Sequence, residues 1–333
     1  MAPGPPGYVE LRCRSAFSFL EAASNPEDLV ECAAELGYGA LALGDRDGVY
    51  GAPRFHKAAR LAGIRPLVSA RLTVEEPGPH LLLLVESRAG YRNLCRLITR
   101  GRADRAKNES QVGWDDLEEH AAGLVALVRG DADLSPALLH RSLATFGRER
   151  VWVDVSRHLD RAAEAAARRA VDLAESLRVP VVATNDVAHA RPEQRRLLDA
   201  LTCLRFGTSL DRAGRKLVPN AERHLRPPHE MVERFADRPE WIHASGEIAD
   251  RCAFTLENLG YRFPEFPVPA GETHASWLRH LTFDGARRRY GARPAPRVRS
   301  QLERELALIE KLGLPGYFLI VHDIARFAAD QKI

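Results

Sequence analysis

Charged side chains follow several of the apolar segments that the sequence predicts to be strands. The stretch LRCRS places Arg12 and Arg14 one residue apart, and the apolar run ALAL is followed at once by GDRDG. Carboxylates and imidazoles bind divalent metal ions through lone pairs, whereas a guanidinium only donates hydrogen bonds and stays protonated. In chain order, the residues at these segment ends are Arg12, Arg14, Asp45, Arg46, Arg71, Asp154, His158, Asp186 and His189. The set therefore mixes metal-ligand types with a cation that opposes metal binding.

The hydrophobic pattern predicts a framework that would bring these segment ends together. Short apolar segments at 40–43, 123–128 and 179–184 alternate with amphipathic helices, one of which is predicted to begin after Asn25 and to end at Gly37. This alternation favours parallel strands wrapped by helices, and the number of strands fits a barrel better than an open sheet. In such a barrel, functional side chains lie at the carboxyl ends of the strands.

Composition limits the class of protein. The 333 residues are 45% hydrophobic and carry a formal net charge of +3, which favours one large α/β domain with an appendage and is too mild to indicate a polyanion partner. The five cysteines are scattered without a C-x-x-C pair, as is typical of a reducing cytoplasm. The start MAPGPPGY lacks the features of a signal peptide, and the apolar runs are too short to span a bilayer. We therefore expect a cytoplasmic protein with no membrane partner.

A run of arginines near the C-terminus is the strongest local basic feature. Arginines clustered beside an aromatic residue, here Tyr290, suit contact with a phosphate backbone. Such a run is more often the solvated end of a helix, and both interpretations stay open. The predicted nucleic-acid-binding residues are Arg287, Arg288, Arg289, Arg293, Arg297 and Arg299.

Successive blocks of the chain resemble the family of bacterial error-prone DNA polymerase III alpha subunits, which are C-family DNA polymerases that begin with a PHP (polymerase and histidinol phosphatase) domain. The resemblance is carried by YVELRCRSAFSFLEAASNPEDLVECAAELGYGALALGDRDGVYG, HLLLLVESRAGYRNLCRLITRGRA, VPVVATNDVAHA and LGLPGYFLIVHDIARFAADQKI, among other blocks between Tyr8 and Ile333. It implies an α/β fold, namely a PHP-type distorted (β/α)7 barrel followed by a smaller, mainly helical segment. The implied limits are a flexible tail over 1–7, the barrel over 8–265 with a helical extension from about 198, a proline-rich hinge over 262–273, and the start of a polymerase palm over 274–333.

The resemblance also implies a metal site, from which this sequence departs. Active PHP domains open with H-x-H, continue with D-H and a glutamate, and close with D-x-H. Arginine stands at most of these positions here, and the last block offers Ala188 in place of histidine, with His189 one place beyond. The vestigial ligand positions are Arg12, Arg14, Asp45, Arg46, Arg71, Asp154, His158, Asp186 and Ala188. PHP sites of the family bind Zn or Mn and the polymerase palm binds Mg, but we expect no cofactor in this chain.

Charge explains why arginines at these positions would exclude metal ions. At about 4 Å and an effective dielectric constant near 20, two unit charges interact by roughly 4 kcal/mol, and a divalent ion doubles the repulsion. Our hypothesis is that the guanidiniums fill the space and balance the charge of Asp45, Asp154 and Asp186. Plainer interpretations also exist: Arg12 and Arg14 as solvated surface charges, His158 as a hydrogen-bonded loop histidine, and Asp186 as a turn cap.

Three interpretations of function follow. The first is the N-terminal PHP portion of an error-prone polymerase, serving DNA replication and translesion repair synthesis as a structural scaffold. The second is a metal-dependent PHP phosphoesterase or 3′-5′ exonuclease, and the third is a non-enzymatic module that binds DNA or a partner. The family's palm aspartates lie beyond Ile333, so we expect no DNA synthesis by this chain alone. Expected partners are the remainder of the polymerase, other mutagenesis or replication proteins, and possible contact with DNA.

The last predicted helix carries a dense apolar face. It comprises Tyr317, Phe318, Leu319, Ile320, Val321, Ile324 and Phe327. An apolar patch of this kind indicates a surface that the rest of a polymerase or another partner covers. We therefore expect the isolated chain to self-associate.

Overall fold

A computed structural model describes residues 7–78, 80–257, 259 and 265–333. The chain divides into two compact units, Met1–Leu256 and Glu257–Ile333. Of the predicted tail only Gly7 is among the described residues, and positions 262–264 of the predicted hinge lie outside them. The predicted domain limits at 265 and 274 stay predictions.

Strands and helices alternate through most of the first unit. The strands are β1 (Glu10–Cys13), β2 (Ala40–Arg46), β3 (Arg65–Thr73), β4 (His80–Val85), β5 (Leu124–Arg129), β6 (Val151–Val155) and β7 (Val181–Ala183). The helices are α1 (Pro26–Glu35), α2 (Ala52–Leu61), α3 (Arg88–Arg102), α4 (Trp114–His120), α5 (Pro136–Phe146), α6 (Arg161–Ser176), α7 (Arg195–Arg205), α8 (Leu210–Ala213), α9 (Pro228–Arg234) and α10 (Pro239–Arg251). The predicted start of α1 is present, because Asp28 and Asn25 form a capping box ahead of Pro26.

The seven strands form one sheet in sequence order, and the sheet is mixed. β4 runs antiparallel to both β3 and β5, whereas the other neighbouring pairs are parallel. The prediction of parallel strands throughout was therefore wrong for β4. The cause is the short connection between Thr73 and His80, which has no room for a crossover helix and reverses the chain instead.

The sheet curls until its two ends meet. The amide of Arg14 donates to the carbonyl of Val187 at 3.0 Å, and the amide of Val187 donates to the carbonyl of Arg12 at 2.9 Å. The segment after β7 thus pairs in parallel with the end of β1. The predicted fold class, a distorted α/β barrel followed by a mainly helical segment, is confirmed.

Apolar residues line both faces of the sheet, because successive side chains of a strand point to opposite sides. One cluster packs between the sheet and its helices and includes Leu29, Leu43 and Phe55. A second includes Leu11 and Leu82 of the strands, together with apolar residues of α10. Buried charged residues gather instead near the carboxyl ends of the strands.

The second unit consists of helices, as predicted. They are α11 (His274–Tyr290), α12 (Pro296–Lys311) and α13 (Pro315–Asp330). Thr273 caps α11, since its hydroxyl accepts from the amide of Ser276 at 3.1 Å. Leu278, Leu306 and Leu319, one from each helix, form the small core. None of the helices among the described residues has the length and apolar character needed to cross a membrane.

Candidate functional site

The carboxyl ends of the strands bring the predicted site residues to one end of the barrel. Asp45 and Arg46 end β2, Arg71 lies near the end of β3, and Asp154 lies near the end of β6. The side chains of these residues are buried, except that of Arg46, which is partly exposed. The remaining predicted positions in this part of the barrel are Arg12, Arg14, His158, Asp186 and Ala188, all of them buried.

Arg12 and Asp154 form a bidentate ion pair. Nε of Arg12 donates to Oδ2 of Asp154 and Nη2 donates to Oδ1, each at 2.6 Å. The two side chains are only 4% and 1% exposed. The hydroxyl of Thr184 donates to the same carboxylate at 3.1 Å. Both oxygens of Asp154 are therefore bound by a fixed cation that belongs to the protein.

Asp186 lies among three guanidiniums. Nη2 of Arg14 lies 3.1 Å from Oδ1, while Nη2 of Arg129 and Nη1 of Arg223 lie 2.8 and 3.0 Å from Oδ2. Burial alone would raise the pKa of Asp186, but Arg129, Arg14 and Arg223 outweigh it and hold the pKa well below its ordinary value. Asp186 has a φ of 45°, a left-handed backbone that non-glycine residues adopt rarely. This carboxylate is thus fixed in its ionised form by surrounding arginines.

Arg46 and Arg71 meet at a carboxylate that the sequence pattern did not indicate. Both guanidiniums form hydrogen-bonded ion pairs with Glu21, in the loop between β1 and α1. Arg205 of α7 adds a third contact, with its Nη2 2.9 Å from Oε1. Burial opposes ionisation of Glu21, yet Arg71, Arg46 and Arg205 lower its pKa. These arginines therefore have a carboxylate partner from a loop.

Asp45 differs from the other two acids, because hydroxyls and an amide hold it. Ser15 donates to it through its amide and its hydroxyl, and Ser18 donates through its hydroxyl, each at 2.8 Å. Burial raises the pKa of this carboxyl despite these hydrogen bonds. In the described part of the chain Asp45 forms no ion pair, and Arg14 acts on it only through its charge, which lowers the pKa of Asp45 less than burial raises it.

The two histidines and the alanine of the predicted site make structural contacts. Nε2 of His158 donates to the carbonyl of Asn185 at 2.9 Å, and burial lowers the pKa of this imidazole to about 4. His189 uses Nδ1 to contact the carbonyl of Arg191 at 2.9 Å. Ala188 has a side chain without donor or acceptor atoms. The contacts of His158 match the plainer interpretation of a hydrogen-bonded loop histidine.

Several residues of this cluster were absent from the sequence-based prediction. Arg129 is the last residue of β5, so the rule that selected the other strand ends could have found it. Glu21, Arg205 and Arg223 lie in loops or in α7, where no strand end or spacing marks them. Glu10 was missed because it is the first residue of β1, at the end of the strand opposite to the carboxyl end. It accepts hydrogen bonds from the hydroxyl of Tyr8 and the amides of Arg12 and Asn185, and burial raises its pKa to about 7.

The donor set does not fit a metal ion. Among the residues that the structure describes, no three or more histidine, cysteine, aspartate or glutamate side chains lie close enough together to hold one. The carboxylates of Asp154 and Asp186 form ion pairs with arginines, and His158 donates a hydrogen bond to a backbone carbonyl. A guanidinium offers no lone pair to replace the missing ligands. The arrangement is therefore one of buried ion pairs.

The predicted nucleic-acid-binding arginines all lie in the second unit. Arg287, Arg288 and Arg289 belong to the last turn of α11, Arg293 follows that helix, and Arg297 and Arg299 belong to the first turn of α12. All six are exposed. The structure thus collects them around one helix connection.

Comparisons with known proteins identify two matched regions. Residues 10–176 match the PHP domain, and residues 276–333 match the bacterial DNA polymerase III alpha NTPase domain. Among solved structures, an amidohydrolase from Chromobacterium violaceum is 15% identical, with a TM-score of 0.39, over 58% of this chain and 96% of that chain.

Similar full-length proteins are error-prone DNA polymerases. One from Mycolicibacterium paratuberculosis is 41% identical over 353 residues, which cover 98% of this chain and 32% of that protein. One from Pseudomonas aeruginosa is 41% identical over 330 residues, covering 98% of this chain and 31% of that protein. The chain therefore spans about a third of the length of these relatives. It belongs to the PHP domain family and is homologous to part of the error-prone DNA polymerases.

Proposed function

We propose that this chain is the PHP portion of an error-prone DNA polymerase that serves replication and translesion repair synthesis, and that its barrel supports the enzyme without hydrolysing phosphoesters. One observation carries the proposal. Buried arginines at the metal-ligand positions of the family are ion-paired with acids, as in the pair of Arg12 with Asp154. A barrel mouth held together in this way has no need of metal for its stability.

Energetics favour the ion pairs over a metal. To bind a cation, Asp154 would have to release Arg12, whose side chain is only 4% exposed. Leaving a buried charge without its partner typically costs about 3 to 5 kcal/mol. A divalent ion would also be repelled by the guanidiniums of Arg14 and Arg71, which stay at the same end of the barrel.

The alternative of a metal-dependent phosphoesterase or 3′-5′ exonuclease has less support. Such an enzyme uses bound metal ions to polarise the phosphoryl group and to generate the nucleophile. The candidate ligands that remain are Asp45, Asp154, His158 and Asp186. Each already has partners within the protein, so the chemistry that needs metal lacks a prepared site.

The partner that we propose for the second unit is the remainder of the polymerase. The exposed large apolar side chains of α12, of the residue that follows it and of α13 are Leu308, Leu312, Tyr317, Phe318, Val321, Ile324 and Phe327. Several large apolar side chains left exposed on a small helical unit favour burial against another protein surface. The homology of residues 276–333 to the polymerase III alpha domain supports this assignment.

Metal analysis combined with a hydrolysis assay tests the barrel proposal. The purified chain is analysed by inductively coupled plasma mass spectrometry, and hydrolysis of bis-p-nitrophenyl phosphate and of labelled single-stranded DNA is followed with added Zn²⁺ or Mn²⁺. We expect substoichiometric metal and no hydrolysis. Two tightly held ions per chain, or hydrolysis abolished by Asp45→Asn and by a chelator, would overturn the proposal.

A further inference from the structure

We infer that a basic cavity in the second unit binds consecutive phosphates of a DNA backbone. The cavity has a volume of about 690 Å³ and lies between α11 and the start of α12. Its lining residues include four arginines and one histidine against a single carboxylate: Arg279, Arg287, Arg293, Arg299, His280 and Glu272. This excess of positive charge favours an anionic ligand.

Helical spacing gives the cavity its cationic and aromatic wall. Ser276, His280, Phe283 and Arg287 follow one another at intervals of three or four residues along α11, so they share one face of the helix. The guanidinium carbon of Arg279 lies 5.2 Å from the ring centroid of Phe283. A wall that combines guanidiniums with aromatic rings is typical of surfaces that contact nucleic acids.

Two of the arginines form no ion pair in the described part of the chain, although the charge of Arg299 helps to lower the pKa of Glu303. Arg279 pairs with Glu303, and Arg287 pairs with Asp284. Arg293 and Arg299, in contrast, form no ion pair with any acid in the described part of the chain. Guanidiniums bind phosphate oxygens through two parallel hydrogen bonds, so a phosphate can supply a directly bound anion to these two side chains.

The number and spread of the arginines favour a nucleic-acid backbone over a single phosphate. One phosphate uses one or two guanidiniums, whereas four are distributed around this cavity. A DNA strand presents successive phosphates and can engage all four at once. The structure also separates the predicted run into two groups, because Arg287, Arg293 and Arg299 line the cavity and Arg288, Arg289 and Arg297 do not.

This separation allows a matched experiment on the full 333-residue chain. Fluorescence anisotropy measures the binding of labelled duplex DNA at several salt concentrations. The cavity variant Arg287→Ala/Arg293→Ala/Arg299→Ala is compared with the control variant Arg288→Ala/Arg289→Ala/Arg297→Ala, which removes the same charge from outside the cavity. Circular dichroism verifies that both variants fold.

We expect the cavity variant to lose most of the affinity. Each phosphate contact contributes about 0.9 to the slope of log K against log salt, so loss of three contacts makes the slope less steep by about 2.7. The control variant should keep most of the slope. Equal losses in both variants, or absence of DNA binding by the unmodified chain, would overturn the proposal. So would binding of tripolyphosphate without binding of DNA, because the ligand would then be a free polyphosphate.

A second pair of variants tests the same cavity by gain of affinity. Asp284 contacts both Arg287 and Nε2 of His280, the latter at 3.2 Å, so Asp284→Asn frees two cavity side chains. Asp323→Asn is the control, because it removes the same charge from α13, where Asp323 pairs with Arg326 at 2.9 Å. Tighter DNA binding by Asp284→Asn alone supports the proposal. An equal gain in both variants would show a general charge effect and overturn it. Neither DNA-binding result depends on the metal content or the hydrolytic activity of the barrel. The DNA-binding inference can therefore be wrong while the barrel proposal holds, and the reverse.

Discussion

The guanidinium of Arg12 donates to both carboxylate oxygens of Asp154 at 2.6 Å, across the space between the first and sixth strands. The two residues are 142 positions apart in the chain. Both side chains are almost fully buried, so neither charge has water to replace its partner. This pair places a protein cation where the resemblance to the PHP family predicts a metal ligand.

Removal of one partner should therefore be costly. We expect Arg12→Ala to lower the free energy of unfolding by about 3 to 5 kcal/mol, because Asp154 is left as an uncompensated buried charge. The double variant Arg12→Met/Asp154→Leu should recover most of the loss, since apolar residues of similar size can replace a buried pair. Urea denaturation followed by circular dichroism measures both values.

The exposed pair of Arg54 and Glu27 provides the control for this prediction. Its two hydrogen bonds are 2.7 and 2.9 Å long, yet the side chains are 52% and 44% exposed. Water screens such a pair, so Arg54→Ala should leave the unfolding free energy almost unchanged. Equal effects of Arg12→Ala and Arg54→Ala would show that burial does not set the strength of these pairs.

Glu21 should make the stability depend on pH in the acid range. Burial opposes its ionisation, but Arg71, Arg46 and Arg205 lower its pKa below the ordinary 4.5. A carboxyl with a lowered folded-state pKa stabilises the fold above its unfolded pKa, and this contribution is lost as the pH falls through the folded value. We expect Glu21→Gln to destabilise the protein by about 1.5 to 3 kcal/mol at pH 7, the range for hydrogen bonds to charged groups.

The difference between Glu21→Gln and the unmodified chain should shrink below pH 4.5, where Glu21 begins to take up a proton in the unfolded chain while the arginines still keep it ionised in the folded one. Urea unfolding at pH 7, 5 and 3.5 measures this difference. Glu27→Gln serves as the control, because Arg54 also lowers the pKa of Glu27 but water screens this exposed pair, so the change in stability should be small at every pH. A difference that stays constant across the three pH values would contradict the role assigned to the arginines around Glu21.

Short-range periodicity was sufficient to predict the alternation of strands and helices and the strand ends that carry charge. The barrel itself was predicted from the number of strands and from the resemblance to the PHP family. The reversal at β4 was not predicted, although the sequence contains the signal for it: the connection between Thr73 and His80 is too short for a crossover helix. The acid that pairs with Arg46 and Arg71 could not be predicted from the sequence. Glu21 reaches them from an irregular loop, and the path of a loop depends on tertiary packing and not on a repeat.

The same limit explains why the serine partners of Asp45 were not predicted. Its residue type and strand-end position match those of Asp154, so a pattern of residue types assigns both the same role. Their environments differ because Ser15 and Ser18 from the loop after β1 reach Asp45. Hydroxyls in a polar loop are common in any sequence, so they gave no signal of this contact.

Asp45 and Asp186 should respond in opposite ways to the same substitution. Burial raises the pKa of Asp45, so its ionisation weakens the fold as the pH rises above 3.8 through the folded-state value. Asp45→Asn removes that cost and keeps a carbonyl oxygen for the amide of Ser15, so stability at pH 7 should be unchanged or higher. Asp186→Asn instead leaves Arg14, Arg129 and Arg223 without their counter-charge and should cost about 3 to 5 kcal/mol.

Urea unfolding of the two variants at pH 7 makes this comparison, with each variant serving as the control for the other. If both residues were ligands of one metal cluster, both substitutions would release metal and destabilise the chain together. Equal destabilisation that depends on added Zn²⁺ or Mn²⁺ would therefore contradict the interpretation of the barrel as a set of ion pairs.

The apolar face of α13 should make the isolated chain self-associate. Ile324 and Phe327 are 64% and 61% exposed, and large apolar side chains at this exposure favour contact with another surface. Size-exclusion chromatography with light scattering should show a mass that rises with concentration. Ile324→Lys/Phe327→Lys should reduce this association, because it places two charges on the face.

The control variant is Ala325→Lys/Gln331→Lys. It adds the same charge at exposed positions on α13 and just after it, without removing large apolar side chains. A concentration-independent monomer, or equal effects of the two variants, would contradict an apolar docking face.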